Sequence, residues 1–117
     1  MPDTAELHRL LQHHFGFHEF LEGQEPVIAA ILGGQDSLVI MPTGGGKSLC
    51  YQLPALALEG ITVVVSPLIA LMKDQVDGML EKKIPATFIN SSLAQSEMDD
   101  RIARMQRGEY RLVYIAP

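Results

Sequence analysis

The sequence predicts an α/β fold, a parallel sheet in three layers with helices on both faces, and three observations carry that expectation. Short apolar runs alternate with segments of helical periodicity along most of the chain. The run Ile61-Thr62-Val63-Val64-Val65 is almost wholly β-branched, as suits a strand covered on both faces. Pro42-Thr43-Gly44-Gly45-Gly46-Lys47-Ser48 joins an apolar run to a helical one, which is the setting of a phosphate-binding loop.

The elements follow in order. Asp3-Thr4-Ala5-Glu6 reads as a capping box, and Leu7, Leu10, Leu11 and Phe15 continue at helical spacing until Gly16. A second helix is expected from near Pro26, with Val27, Ile28, Ile31 and Leu32 apolar, stopping at Gly33-Gly34. Strands are expected at 37–41, 61–65, 86–89 and 112–115, and helices at 48–58, 68–81 and 93–107. Ser66-Pro67 offers an N-cap and first-turn pair for the middle helix, and Ser92 with Gln95 offers the same for the last. Residues 1–34 read as an N-terminal helical segment and 35–117 as the sheet domain.

Composition narrows the class. With 117 residues, 47% of them hydrophobic, the chain suits one core. A single cysteine, Cys50, excludes an intramolecular disulfide and offers no metal-ligand cluster. Nine basic against fourteen acidic residues give a net charge of −5, which argues against a dedicated basic nucleic-acid module. Backbone amides and helix N-termini can still track a strand without a basic patch. The opening residues are acidic rather than signal-like, and no apolar run is long enough to span a bilayer, so cytoplasm is the expected compartment.

Other features read as structural. Met72, Met79, Met98 and Met105 fall at helical spacing and are expected in the core. His13, His14 and His18 are separated by Gly16, which breaks the helix that would align them on a metal. Glu97, Asp99, Asp100, Arg101, Arg104 and Arg107 read as a solvated helix face with ion pairs four residues apart.

The chemistry concentrates at the glycine loop. Successive glycines let the backbone wrap an anion with no Cβ in the way, and the following helix N-terminus adds N–H groups. Lys47 is placed to reach β- and γ-phosphates, and the Ser48 hydroxyl to ligate Mg²⁺. The pattern G-x-x-x-x-G-K-[ST] has Met41 in place of its first glycine. Ligand sites in such sheets gather at the C-terminal ends of strands, where Thr43 to Ser48, Ser66-Pro67 and Asn90-Ser91-Ser92 fall. Hydrolysis also needs a carboxylate on another strand to hold Mg²⁺ and order water. Asp36 precedes the first expected strand, and Asp99 and Asp100 sit on an expected helix, so none is placed for that role. The chain therefore reads as an incomplete domain.

The motif order resembles the RecQ family of superfamily 2 DNA helicases. Phe15-Gly16-Phe17, Phe20 and Gln24 resemble its adenine-recognition motif, and Met41 to Ser48 is similar to its motif I, which also accounts for Met41. Ser66-Pro67-Leu68-Ile69-Ala70-Leu71-Met72-Lys73-Asp74-Gln75-Val76 resembles motif Ia, and Asn90-Ser91-Ser92 and Tyr114-Ile115-Ala116-Pro117 resemble the segments that follow. The resemblance covers essentially the whole chain, as the first part of one RecA-like lobe of the P-loop NTPase type. It implies ATP and Mg²⁺ as cofactors and single-stranded or partly duplex DNA as partner, with 3′-to-5′ unwinding by the whole enzyme. By the same resemblance Phe17 stacks on adenine and Gln24 hydrogen-bonds its exocyclic amine and N7. Thr43, Gly44, Gly45, Gly46, Lys47 and Ser48 hold the phosphates, and Ser66, Lys73, Asn90 and Ser91 face DNA. Leu21 and Glu22 stand where the family carries Arg and Pro, which removes one polar contact to the base. Rival readings are a nucleotide- or DNA-binding module without turnover, a remnant without a stable fold, and a small-molecule kinase, for which no arginine-bearing lid is visible.

Overall fold

The computed structural model describes residues 3–41 and 46–117. They form two units, Met1–Glu59 and Gly60–Pro117. The helix after the phosphate loop falls in the first of these.

In the first unit, α1 (Thr4–Leu10) is capped as its sequence demands: the Asp3 carboxylate accepts the Glu6 N–H at 2.9 Å. The helix widens into a π-helical turn (Leu11–Phe15) and stops at Gly16, whose φ of +75° is open to glycine at little cost. The second helix, α2 (Gln24–Leu32), starts two residues ahead of Pro26. The first three residues of a helix donate no intrahelical N–H bond, so proline fits at the third position as well as at the first. Leu7, Leu10 and Leu11 meet Ile28 of α2 and Leu49 and Leu53 of α3 (Leu49–Ala57) in one apolar cluster, with Phe15 and Phe20 partly buried against it.

Segment 37–41, expected as a strand, is not one. It joins no sheet among the described residues, and Leu38 and Ile40 are 91% and 90% exposed. Apolar alternation favours an extended chain, but a strand exists only through its ladder, and no described strand lends this segment an edge.

The second unit runs β1 (Thr62–Val65), α4 (Ile69–Glu81), β2 (Ala86–Ile89), α5 (Gln95–Gln106) and β3 (Leu112–Ile115). Its sheet is parallel with order β1-β3-β2, and Val113 at its centre registers with Val63 on one side and Thr87 on the other. The middle strand is buried through Leu112, Val113 and Tyr114, whereas Val63 and Val65 are exposed. The β-branched run is thus an edge strand among the described residues rather than one covered on both faces; its composition fits either position.

Both α4 and α5 pack on β2. Met72, Val76 and Met79 give α4 a buried stripe, but α5 fully buries nothing, and Met98 and Met105 are only half-buried. Neither serine caps its helix as expected. The Ser66 hydroxyl accepts the Leu68 N–H at 3.1 Å, which closes a short turn before α4 begins at Ile69. The Ser92 hydroxyl bonds the Asn90 side chain, and α5 begins at Gln95 with no side-chain cap.

The charged face of α5 is also more than solvated. Arg101 reaches 2.7 Å from the Phe88 carbonyl, with its guanidinium 4.6 Å from the Phe88 ring centroid, and its side chain is only 22% exposed. It covers the outer edge of β2, a protection that edge strands need against pairing with other chains.

Candidate nucleotide-binding site

Gly46, Lys47 and Ser48 lead directly into α3. Gly46 adopts φ +77°. The first carbonyls turn inward, Lys47 O accepting from Cys50 N at 3.1 Å and Ser48 O from Gln52 N at 3.0 Å. Tyr51 N also donates to Ser48 O at 3.2 Å, so the N–H groups without a described acceptor are those of Lys47, Ser48 and Leu49, at the helix end where the dipole favours an anion. Ser48 occupies the N-cap position, but its hydroxyl makes no capping bond. Lys47 is exposed and makes no ion pair with any described acid. A cation, a hydroxyl and the N-terminus of a nine-residue helix therefore share one end. The donor set fits a polyphosphate and its Mg²⁺, with Lys47 toward phosphate and Ser48 toward the metal ion. Pro42, Thr43, Gly44 and Gly45, the rest of the expected loop, lie outside the described residues.

Around this end the expected base-binding residues divide. Phe17 is 57% exposed, so its ring face is accessible. Gln24 is only 2% exposed, and both ends of its amide are engaged: Oε1 accepts the Leu21 N–H at 2.7 Å and Nε2 donates to the Gly46 carbonyl at 3.1 Å. Nothing local in the sequence announces the second contact, which joins residues 22 positions apart. Cys50 packs under the same loop, its Sγ 3.9 Å from the Gly46 carbonyl. Burial pushes its thiol up from the usual range, which keeps it a neutral, inert packing group. A cavity of about 240 Å³ beside Lys47 is lined by Val27, Ile31, Val39 and Tyr51. Ser37, Lys47 and Cys50 complete its lining.

The residues expected to face DNA all lie in the second unit. Ser66 follows β1 and Asn90 follows β2, so in a parallel sheet both stand at the same, C-terminal end. The Asn90 side chain is turned inward: it is 5% exposed, its Oδ1 accepts the Ser92 N–H at 2.8 Å, and its Nδ2 lies 3.5 Å from the Met72 sulfur. Ser91 is exposed beside it. Lys73 is also exposed and pairs with Asp77 at 2.8 Å, a contact that raises the lysine's pKa and keeps it charged. A separate cavity of about 410 Å³ along β2 contains Lys73, Arg101 and Arg104. Asp77, the Phe88 carbonyl and Glu109 already engage these cations, so it offers no open charge to a ligand.

The model of the DEAD/DEAH box helicase family matches residues 21–117. The chain belongs to the DEAD/DEAH box helicase family. Membership implies nucleotide binding and agrees with the parallel α/β architecture and the loop ahead of α3. The chain is 50% identical over 95% of its length to the ATP-dependent DNA helicase RecQ of Bacillus subtilis, of which it spans 20%. It is 53% identical over 88% of its length to the protein of the same name in Pasteurella multocida, spanning 16% of it. With the Synechocystis protein of that name it is 41% identical over its whole length and spans 24%. The chain thus covers about a fifth of the length of these relatives. No helix among the described residues is long and apolar enough to cross a membrane.

Proposed function

We propose that the chain binds Mg·ATP at the α3 N-terminus and single-stranded or partly duplex DNA at the C-terminal end of its sheet, as the nucleotide-binding part of an ATP-dependent 3′-to-5′ DNA helicase of RecQ type. The observation that carries this reading is the convergence of exposed Lys47, a Ser48 hydroxyl that makes no capping bond, and the N–H groups of Lys47, Ser48 and Leu49, which donate to no described acceptor. In it Lys47 neutralises the terminal phosphates, Ser48 holds Mg²⁺, and Thr43, Gly44, Gly45 and Gly46 supply backbone N–H groups. Bound Mg²⁺ would neutralise phosphate charge. Phe17 offers its exposed ring to the base. Ser66 and Ser91 are available to DNA phosphates, Lys73 would have to exchange its Asp77 partner to reach one, and Asn90 shapes the turn that presents Ser91. The relatives' names supply the helicase activity and the DNA substrate to this reading, and a soluble, DNA-acting protein of the cytoplasm, or of the nucleoid in a bacterium, fits it.

Replacing Lys47 by alanine tests this. A charged hydrogen-bonding contact contributes about 1.5–3 kcal/mol, so affinity for Mg·ATP in a calorimetric titration should fall about ten- to a hundredfold or more. Circular dichroism should be unchanged, because the side chain is exposed. Parent-like ATP binding by Lys47→Ala would refute the site.

A further inference from the structure

We infer that Met72 is a positioning residue for DNA: its thioether holds the Asn90 amide, and through it the turn that presents Ser91. The inference rests on the DNA-binding reading above. The Asn90 side chain spans two elements. Its Oδ1 accepts the Ser92 N–H at 2.8 Å and also the Ser92 hydroxyl, while its Nδ2 donates to the Met72 sulfur, 3.5 Å away on α4. A backbone N–H can only donate, so the Ser92 contact turns the amide oxygen inward to the turn and the NH2 group toward the sulfur. Asn90 and Met72 are 5% and 2% exposed, and a buried amide donor without a partner is costly. Met72 supplies that partner; a leucine would fill similar space with no acceptor.

Backbone bonds already pin the strand ends. Ser66 N donates to the Ile115 carbonyl at 3.0 Å and Ala116 N to the Ile89 carbonyl at 3.4 Å, so the ends of β1 and β2 are both tied to the end of β3. Beyond Ile89 the chain is shaped by Asn90. Its carbonyl accepts the Leu93 N–H at 3.3 Å, and its side chain closes an Asx turn with Ser91 at the tip. Met72 ties that turn to α4, the helix that begins just after the Ser66 turn. One contact thus registers exposed Ser91 against Ser66, the two serines offered to phosphate. Without it the turn spends part of its time in other conformations, and the apparent affinity for DNA falls with the competent fraction. Met79 is equally buried on the same helix but stands about two turns further along.

The test compares Met72→Leu with Met79→Leu in the full chain, using a fluorescein-labelled single-stranded oligothymidylate as the probe. Both substitutions remove a buried sulfur and nearly conserve volume, and residue 72 is the one bonded to Asn90. Met72→Leu should weaken oligonucleotide binding about two- to tenfold. In the ligand-free protein it should also move the Ser91 and Ser92 amide resonances. Met79→Leu should do neither, which separates positioning from a general loss of packing. Asn90→Ala should weaken binding at least as much as Met72→Leu. Adding Met72→Leu to Asn90→Ala should weaken it no further, because the two side chains act through one contact. Parent-like DNA binding by Met72→Leu, an equal loss in Met79→Leu, or losses that multiply in the double variant would overturn the inference and leave the DNA-binding reading standing. Failure of the parent to bind the oligonucleotide would instead refute that reading, and the inference with it.

Discussion

Given Mg·ATP and single-stranded DNA, the 117-residue chain is expected to release phosphate no faster than background, while the Bacillus subtilis RecQ helicase assayed beside it turns over. Two absences among the described residues lead to this result. The strands at the C-terminal end of the sheet lead into Ser66, Asn90 and Ala116, so none presents a carboxylate to hold Mg²⁺ and order the attacking water. The described arginines also have partners of their own: Arg9 pairs with Glu6, Arg101 with the Phe88 carbonyl, and Arg104 and Arg107 with Glu109, while Arg111 is engaged too. An arginine finger alone is worth about 10³–10⁵ in rate. DNA-stimulated turnover by the chain alone, abolished by Lys47→Ala, would show that a carboxylate and an arginine do reach the loop and would contradict the account.

Leu53→Ala should cost about 2–5 kcal/mol of stability. Leu53 is fully buried at the centre of the cluster made by α1, α2 and α3, so truncation leaves a cavity that the flanking Leu7, Leu11 and Ile28 can fill only in part. Small domains have about 5–15 kcal/mol in total, so this one change removes a large share. The loss should appear as a lower urea midpoint by circular dichroism. Leu38→Ala, at a side chain 91% exposed, should change it by no more than about 0.5 kcal/mol. Equal effects at the two positions would contradict the assignment of the core. Because α3 carries the phosphate end on one side and Leu49 and Leu53 on the other, loss of the cluster should weaken nucleotide binding as well.

Features set by short-range chemistry were legible before the structure. Asp3 caps α1, Gly16 stops the π-helical turn, and β2 and β3 stand at the residues that apolar runs between turn signals had marked. The glycine-Lys-Ser signal placed the loop ahead of a helix, and α3 follows within a residue of the expected start. What the sequence missed depends on distant partners. Residues 37–41 have the pattern of a strand, but pairing is decided by neighbours that the pattern does not name. Val63 and Val65 have strand composition, which does not distinguish a central position from an edge. Arg101 looked like one charge among several on α5, and only the fold brings it onto the Phe88 carbonyl. The fold also sets the Gln24 amide against the Gly46 carbonyl, a contact that no periodicity encodes.

The most direct measurement of the central claim is an amide-resolved NMR titration of the full chain with Mg·ATP. The account predicts that the largest shifts fall on Gly46, Lys47, Ser48 and the first turn of α3, and that Lys47→Ala moves the titration to about ten- to a hundredfold or more higher nucleotide concentration. Saturable shifts confined to the second unit, or none at these residues at millimolar nucleotide, would contradict it.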